Sequence, residues 1–133
     1  MKTVWVDANV LLRLFTGKPE DQALRAAALL GKASDGHLCL RISLITVAEM
    51  VWVLHRFYQV PVPKIAVTLS EFLCSDGVSV ESRESVLEAL SLMAREGVDF
   101  ADALLAVQCH ESNEPVASFD EDFKRLGVQR YPI

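Results

Sequence analysis

Apolar positions in this chain come in two patterns, short continuous runs and longer periodic ones, and the two alternate. The run "TVWV" (residues 3–6) is β-branched or aromatic and apolar on both faces, which predicts a strand buried in a parallel sheet. A short helix is expected from Asn9. Behind the "GKPE" break, Pro19 suits a first helical turn, and "EDQALRAAALLGKA" is alanine-rich with acids at its start and Lys32 near its end, the charge order of a helix. "HLCLRIS" alternates Leu38, Leu40 and Ile42, a second strand, and "LITVAEMVWVLHRFY" reads as a long, mostly apolar helix ended by "VPVP". "PKIAVTLSEFL" is a further helix, "VSVE" a brief strand, and "SRESVLEALSLMARE" an amphipathic helix closed by Gly97. "DFADALLAVQCHE" is the next helix, "PVASF" a strand, "DEDFKRL" a single short helix and "VQRYPI" a final edge strand.

Helical segments linking short apolar strands predict the α/β class: a three-layer α/β/α sandwich around a central, mostly parallel sheet. No repeat, low-complexity tract or linker interrupts the pattern, and residues 1–133 read as a single domain. The 51% apolar and 23% charged content sets disorder aside. Apolar runs stop far short of the roughly 20 residues needed to span a bilayer. The start "MKTVWVDANV" lacks the apolar stretch and cleavage site of a signal peptide, so a cytoplasmic protein without membrane association is expected. Cys39, Cys74 and Cys109 are spread singly, as buried reduced thiols would be rather than disulfides or a zinc site. A net charge of −5 argues against a broad basic nucleic-acid footprint, unless the acids cluster and hold cations.

Several acids are placed as if they do. In open parallel sheets the chemistry sits at the rim formed by the carboxyl ends of the strands. Asp7 directly follows the first strand, and Asp120 stands in the same relation to "VASF". Both should therefore look onto one rim. Glu49 lies about two turns into its helix among Val47, Ala48, Met50 and Val51, where a buried carboxylate needs a partner; His55, Arg56 or Arg41 are within reach of that role. Asp99 and Asp102 open their helix three residues apart, so both can point from one face. Carboxylates converging in a low-dielectric cleft raise one another's pKa unless a cation sits among them, and a hard divalent ion such as Mg²⁺ or Mn²⁺ suits oxygen ligands. Each acid also has a purely structural reading. Asp7 is equally well placed to cap the helix from Asn9, Asp99 to be an N-cap with Asp102 near the third position, and Asp120 to cap "EDFKRL". Asp122 reads as a solvated first-turn acid.

The segments "VWVDANVLLRL", "SLITVAEMVWVL", "DFADALLAVQC" and "SFDEDFKRL", in this order, resemble the PIN-domain nucleases, and among them the VapC-like toxins of toxin–antitoxin pairs. The resemblance implies an α/β/α fold and an endoribonuclease whose acidic pocket binds Mg²⁺ or Mn²⁺. The family's acids fall on Asp7, Glu49, Asp102 and Asp120, with Asp99 at a less constant position as an additional ligand candidate. Asn9, Thr46 and Ser118 match polar positions beside the ligands, suited to contacting ligand water or phosphate. Ions so held would activate a water against a phosphodiester and offset the charge on the leaving oxygen, with no side-chain nucleophile. His37, His55 and His110 are scattered over different elements and are not expected to be catalytic.

Single-stranded or loop RNA is the expected substrate, because a small cleft cannot enter the deep groove of an A-form helix. Arg13, Arg41, Arg56, Lys124 and Arg125 are cations that could flank the rim. A VapC-like chain is further expected to form a homodimer and to bind a VapB-like antitoxin, whose Arg or Lys would enter the acidic site. For such contacts "PVPKIAVTLSEFL" and "LITVAEMVWVLHRFYQ" carry more apolar residues, Trp52, Phe57 and Tyr58 among them, than a 133-residue domain need bury alone, although core is the plainer role for them. Two other readings stay open. A Mg²⁺-binding phosphoacceptor or phosphatase domain also sets strand-end aspartates on a parallel sheet, although "DAN" lacks the second acid of a D-x-D motif. A catalytically inactive PIN-like binding module is the other.

Overall fold

The computed structural model describes all 133 residues. In chain order the elements are β1 (Lys2–Trp5), α1 (Ala8–Thr16), α2 (Glu20–Ser34), β2 (Leu38–Ile42), α3 (Leu44–Arg56), α4 (Val62–Leu73), β3 (Val78–Val80), α5 (Arg83–Glu96), α6 (Phe100–Ser112) and α7 (Asp122–Arg125). The sheet has the order β1-β2-β3 and every pairing is parallel, with Trp5 opposite Arg41 and Arg41 opposite Ser79. This is the predicted α/β fold, a parallel sheet with helical layers packed around it.

Two of the expected strands are not ladders. "PVASF" and "VQRYPI" meet in a single parallel bridge, Val116 to Arg130, held by Val116 N–H to the Gln129 carbonyl at 2.9 Å and Tyr131 N–H to the Val116 carbonyl at 2.7 Å. Pro115 has no donor to give, and beyond Ala117 the chain curls at once, the Asp120 N–H bonding to Ser118 Oγ at 3.0 Å instead of a neighbouring strand. Strand β1 differs as well. It is the sheet edge rather than a strand covered on both faces: Val4 and Val6 turn inward while Lys2, Thr3 and Trp5 are exposed. Trp5 remains 63% exposed, with the Arg41 guanidinium 5.6 Å from its ring centre. Of the three free cysteines, Cys109 is buried, Cys39 half-buried and Cys74 exposed, so Cys74 departs from the expected buried thiol.

The core forms where helices turn one stripe to the sheet and to each other. On α3 the buried positions are Thr46, Val47, Met50, Val51 and Leu54, the i, i+3, i+4, i+7 spacing of one helical face. Helix α4 buries Ile65, Ala66, Leu69, Phe72 and Leu73, so most of its apolar excess is core. Helices α5 and α6 pack closely, with Ala89, Ala103 and Ala106 fully buried. Small side chains there let the two backbones approach.

Gly77, just before β3, sits at φ +79° while its carbonyl accepts the Leu40 N–H at 2.8 Å. A Cβ there would run into the backbone carbonyl of Ala33 at the end of α2. Gly77→Ala should therefore combine left-handed strain with overpacking, together about 3 kcal/mol. Gly97→Ala, at φ +69° with open space around it, should lose only about 1 kcal/mol. Urea unfolding of both variants checks this, and equal midpoints would show that the Gly77 contact does not matter.

Candidate functional site

Asp7 follows β1 by two residues, after Val6 has extended the ladder with a 3.1 Å bond to the Arg41 carbonyl. Its backbone is extended and its Oδ1 accepts the Val10 N–H at 3.1 Å, so it is the N-cap of α1. The side chain is nevertheless exposed, and with Asn9, Arg13, Gln22 and Arg25 it lines a hollow of about 430 Å³ between α1 and α2. Arg13 is held there by its Nε bond to Gln22 at 2.8 Å and pairs with no carboxylate. Asn9 thus lies beside Asp7, as its sequence position implied.

Strand β2 delivers the chain to the same rim, where Ser43 caps α3. Its Oγ accepts the Thr46 N–H at 3.1 Å and donates to Thr46 Oγ1 at 3.0 Å. Thr46 is consequently buried in the cap and faces the core rather than an open ligand sphere. Glu49, one turn on, is exposed. This corrects the expectation of a buried carboxylate in need of a partner: the apolar neighbours of Glu49 occupy the inward stripe of α3 and the glutamate lies on the outward one, making no ion pair with His55, Arg56 or Arg41. Glu49 lines a groove of about 870 Å³ that it shares with Asp99 across the junction of α3 and α6.

Helix α6 begins at Asp99, which occupies the N-cap position but makes no capping bond. Its carboxylate is thus available to the groove. Asp102 lies next to the buried stripe Phe100, Ala103 and Val107, which leaves it half in water. Burial first, and then the charges of Asp120, Asp99 and Asp122, push its carboxyl above the ordinary value of 3.8. Asp120 Oδ1 accepts the Asp122 N–H at 2.9 Å from one residue ahead of Glu121, which is the N-cap of α7, so Asp120 makes a turn bond at the helix start without being its cap. The charge of Asp120 acts on Asp102 from a turn, not from a sheet strand, so of the two expected strand-end aspartates only Asp7 follows a strand of the sheet. Asp122 is an acid the sequence reading left in solvent; it pairs with Arg125 at 3.3 Å and still acts on Asp102. The spacing Asp120-x-Asp122 into a helix start was the available signal. Ser118 serves the turn by accepting from the Asp120 N–H.

The acids therefore form two connected groups and an outlier. Asp99, Asp102, Asp120 and Asp122 are electrostatically joined, Asp99 also faces the groove with Glu49, and Asp7 stands in the neighbouring hollow. No three of the His, Cys, Asp and Glu side chains stand close enough together, as they are, to hold a metal ion. The donor chemistry does fit one. All the candidates are hard carboxylate oxygens, and mutual repulsion on the half-buried Asp102 is the condition that a divalent cation relieves. Among the cations expected at the rim, Arg13 and Arg56 line the hollow and the groove, whereas Arg125 is occupied by Glu96 and Asp122. His110 is structural, its Nε2 lying 3.0 Å from the Leu126 carbonyl.

The fold is of the α/β class, a parallel sheet with helices packed around it. Within it, the family profile of the PIN domain matches residues 4–129, and the chain belongs to the PIN-domain family. That family is one of nucleases, so the substrate is a nucleic acid. No curated protein matches the chain. No helix is long and apolar enough to cross a membrane.

Proposed function

We propose that residues 1–133 act as one nuclease domain, a cytoplasmic endoribonuclease of the VapC type and the toxin of a toxin–antitoxin pair. The observation that carries the reading is the half-buried Asp102, whose carboxyl is pushed up by burial and by Asp120, Asp99 and Asp122. Carboxyls shifted by burial and by neighbouring like charges cluster at functional sites. Asp7, Glu49, Asp102 and Asp120, with Asp99 in addition, are the residues to hold Mg²⁺ or Mn²⁺. When bound, such an ion supplies a water of lowered pKa and neutralises the leaving oxygen.

The chain's own residues contribute in distinct ways. Asp102 and Asp120 concentrate negative charge at the mouth of α6, where a cation is drawn in. Asp7 is held in one orientation by its bond to Val10 N–H, and Asn9 lies beside it toward solvent. Arg13 keeps a positive charge in the Asp7 hollow that suits a phosphate, which explains how an acidic protein approaches RNA. As partners, a VapB-like antitoxin would inhibit by placing an Arg or Lys among the carboxylates. Phe57 at 75% and Tyr58 at 40% exposure offer apolar surface for a homodimer or that antitoxin.

A second reading is favoured by one observation, that no three ligands converge: a PIN-fold module that binds without cutting. One experiment separates them. Purified, partner-free protein is incubated with end-labelled single-stranded RNA in Mn²⁺ or Mg²⁺, with and without EDTA. The nuclease reading expects discrete products with a 5′-phosphate that EDTA abolishes. An absence of cleavage together with an absence of divalent binding by calorimetry would leave the binding module standing.

A further inference from the structure

The groove shared by Glu49 and Asp99 is larger than an acidic pair requires. It continues along α3 past Trp52 to Arg56. Ile45, Glu49, Trp52 and Arg56 fall within an arc of about 60° on the helix, so they form one outward stripe. With a rise of about 1.5 Å per residue, Trp52 lies roughly 4.5 Å and Arg56 roughly 10 Å beyond Glu49 along the axis. That is the span of a dinucleotide. Arg56 is exposed and makes no ion pair, in a chain whose net charge is −5. Trp52 is 63% exposed beside it, a large apolar ring in water.

Resting on the nuclease reading above, we infer that this α3 groove positions a single strand of the substrate. Trp52 stacks one base, and Arg56 pairs with a phosphate of the adjoining nucleotide. The charge order along the groove supports that occupant. Carboxylates stand at the end where the reacting phosphate must come, and an unpaired guanidinium stands at the other, where an unreacting phosphate needs a counter-charge. Between them an exposed indole offers a face that accepts any base, because stacking is indifferent to sequence. Trp52 and Arg56 are positioning residues here, not catalytic ones. Their contribution belongs in binding and in KM more than in kcat.

The test uses the full chain carrying Asp7→Asn to prevent cutting, with fluorescein-labelled oligouridine as the probe. Anisotropy gives Kd as a function of salt. Trp52→Leu should weaken binding by about tenfold or more, and Trp52→Phe should restore most of it. Arg56→Gln should lower the slope of log Kd against log salt by roughly 0.7, one released counterion on a single strand. In a Trp5→Phe background, oligouridine should quench the remaining Trp52 emission. In the cutting protein, Trp52→Leu should raise KM by a larger factor than it lowers kcat. The inference is overturned if protein that cuts RNA shows the same Kd, salt slope and KM in Trp52→Leu and Arg56→Gln. It is equally overturned, in favour of a second copy of the chain on this face, if Trp52→Leu converts a dimer to a monomer in sedimentation without changing Kd per chain. RNA that is neither bound nor cut by the parent protein would instead remove the nuclease reading itself, and this inference with it.

Discussion

Asp102→Asn is expected to lower nuclease turnover steeply while making the metal-free protein more stable at neutral pH. The loss follows from the proposed metal site: among Asp120, Asp99 and Asp122 the carboxylate would supply charge to a bound cation, and an amide would not. Removing one such electrostatic contact is expected to reduce kcat by roughly 10²–10³-fold. The gain in stability follows from linkage. Because the folded-state pKa of Asp102 lies above its ordinary value of 3.8, the folded chain holds that proton more tightly than the unfolded chain. Stability contributed by the group is therefore greatest at low pH and declines as pH rises from about 3.8 through the raised value. At pH 7 the ionised Asp102 is a net liability that asparagine removes. Urea melts in EDTA should show the variant ahead at pH 7 and level with the parent once the pH is below that window. Activity within threefold of the parent would transfer the role to Asp99, whose carboxylate is the uncapped neighbour.

Much of this arrangement was legible in the residues, for reasons that differ by element. The start of α6 was legible because two acids three residues apart, Asp99 and Asp102, mark a helix N-terminus. Glu49 was located on the right helix but on the wrong face. Helix α3 is apolar almost all round, and only the buried set Thr46, Val47, Met50, Val51 and Leu54 reveals which side meets the core. Pattern alone cannot choose a face when both are apolar. The missing fourth and fifth strands have a local cause. Ser118 and Asp120 offer side-chain acceptors to the backbone just where a ladder would need its donors, and the turn wins over the sheet. The edge position of β1 was invisible for a related reason, since "TVWV" looks alike whether or not a neighbour covers Trp5. Asp122 was missed because its role as a charge acting on Asp102 depends on that same turn.

Asp7 offers the sharpest separation of structure from chemistry, because its cap and the proposed metal contact would meet in one side chain and asparagine would keep only the cap. The capping bond to Val10 N–H needs an oxygen, which asparagine supplies, so Asp7→Asn should stay within about 0.5 kcal/mol of the parent in a denaturant melt. Asp7→Ala loses the cap as well and should be about 1 kcal/mol less stable. If the carboxylate takes part in holding a divalent ion, both variants fall by at least ~10²-fold in cleavage of single-stranded RNA, although only one of them is destabilised. A residue that merely caps gives the opposite pattern, with activity following stability: Asp7→Asn would cut as the parent does, and any deficit in Asp7→Ala would disappear on cooling. The comparison matters most at this residue because Asp7 stands apart from the charges that act on Asp102, in the hollow with Arg13 and Arg25. Loss of cleavage in Asp7→Asn would mean that the two regions work on one phosphate, and that the α1 cap serves to aim a carboxylate across the rim of the sheet.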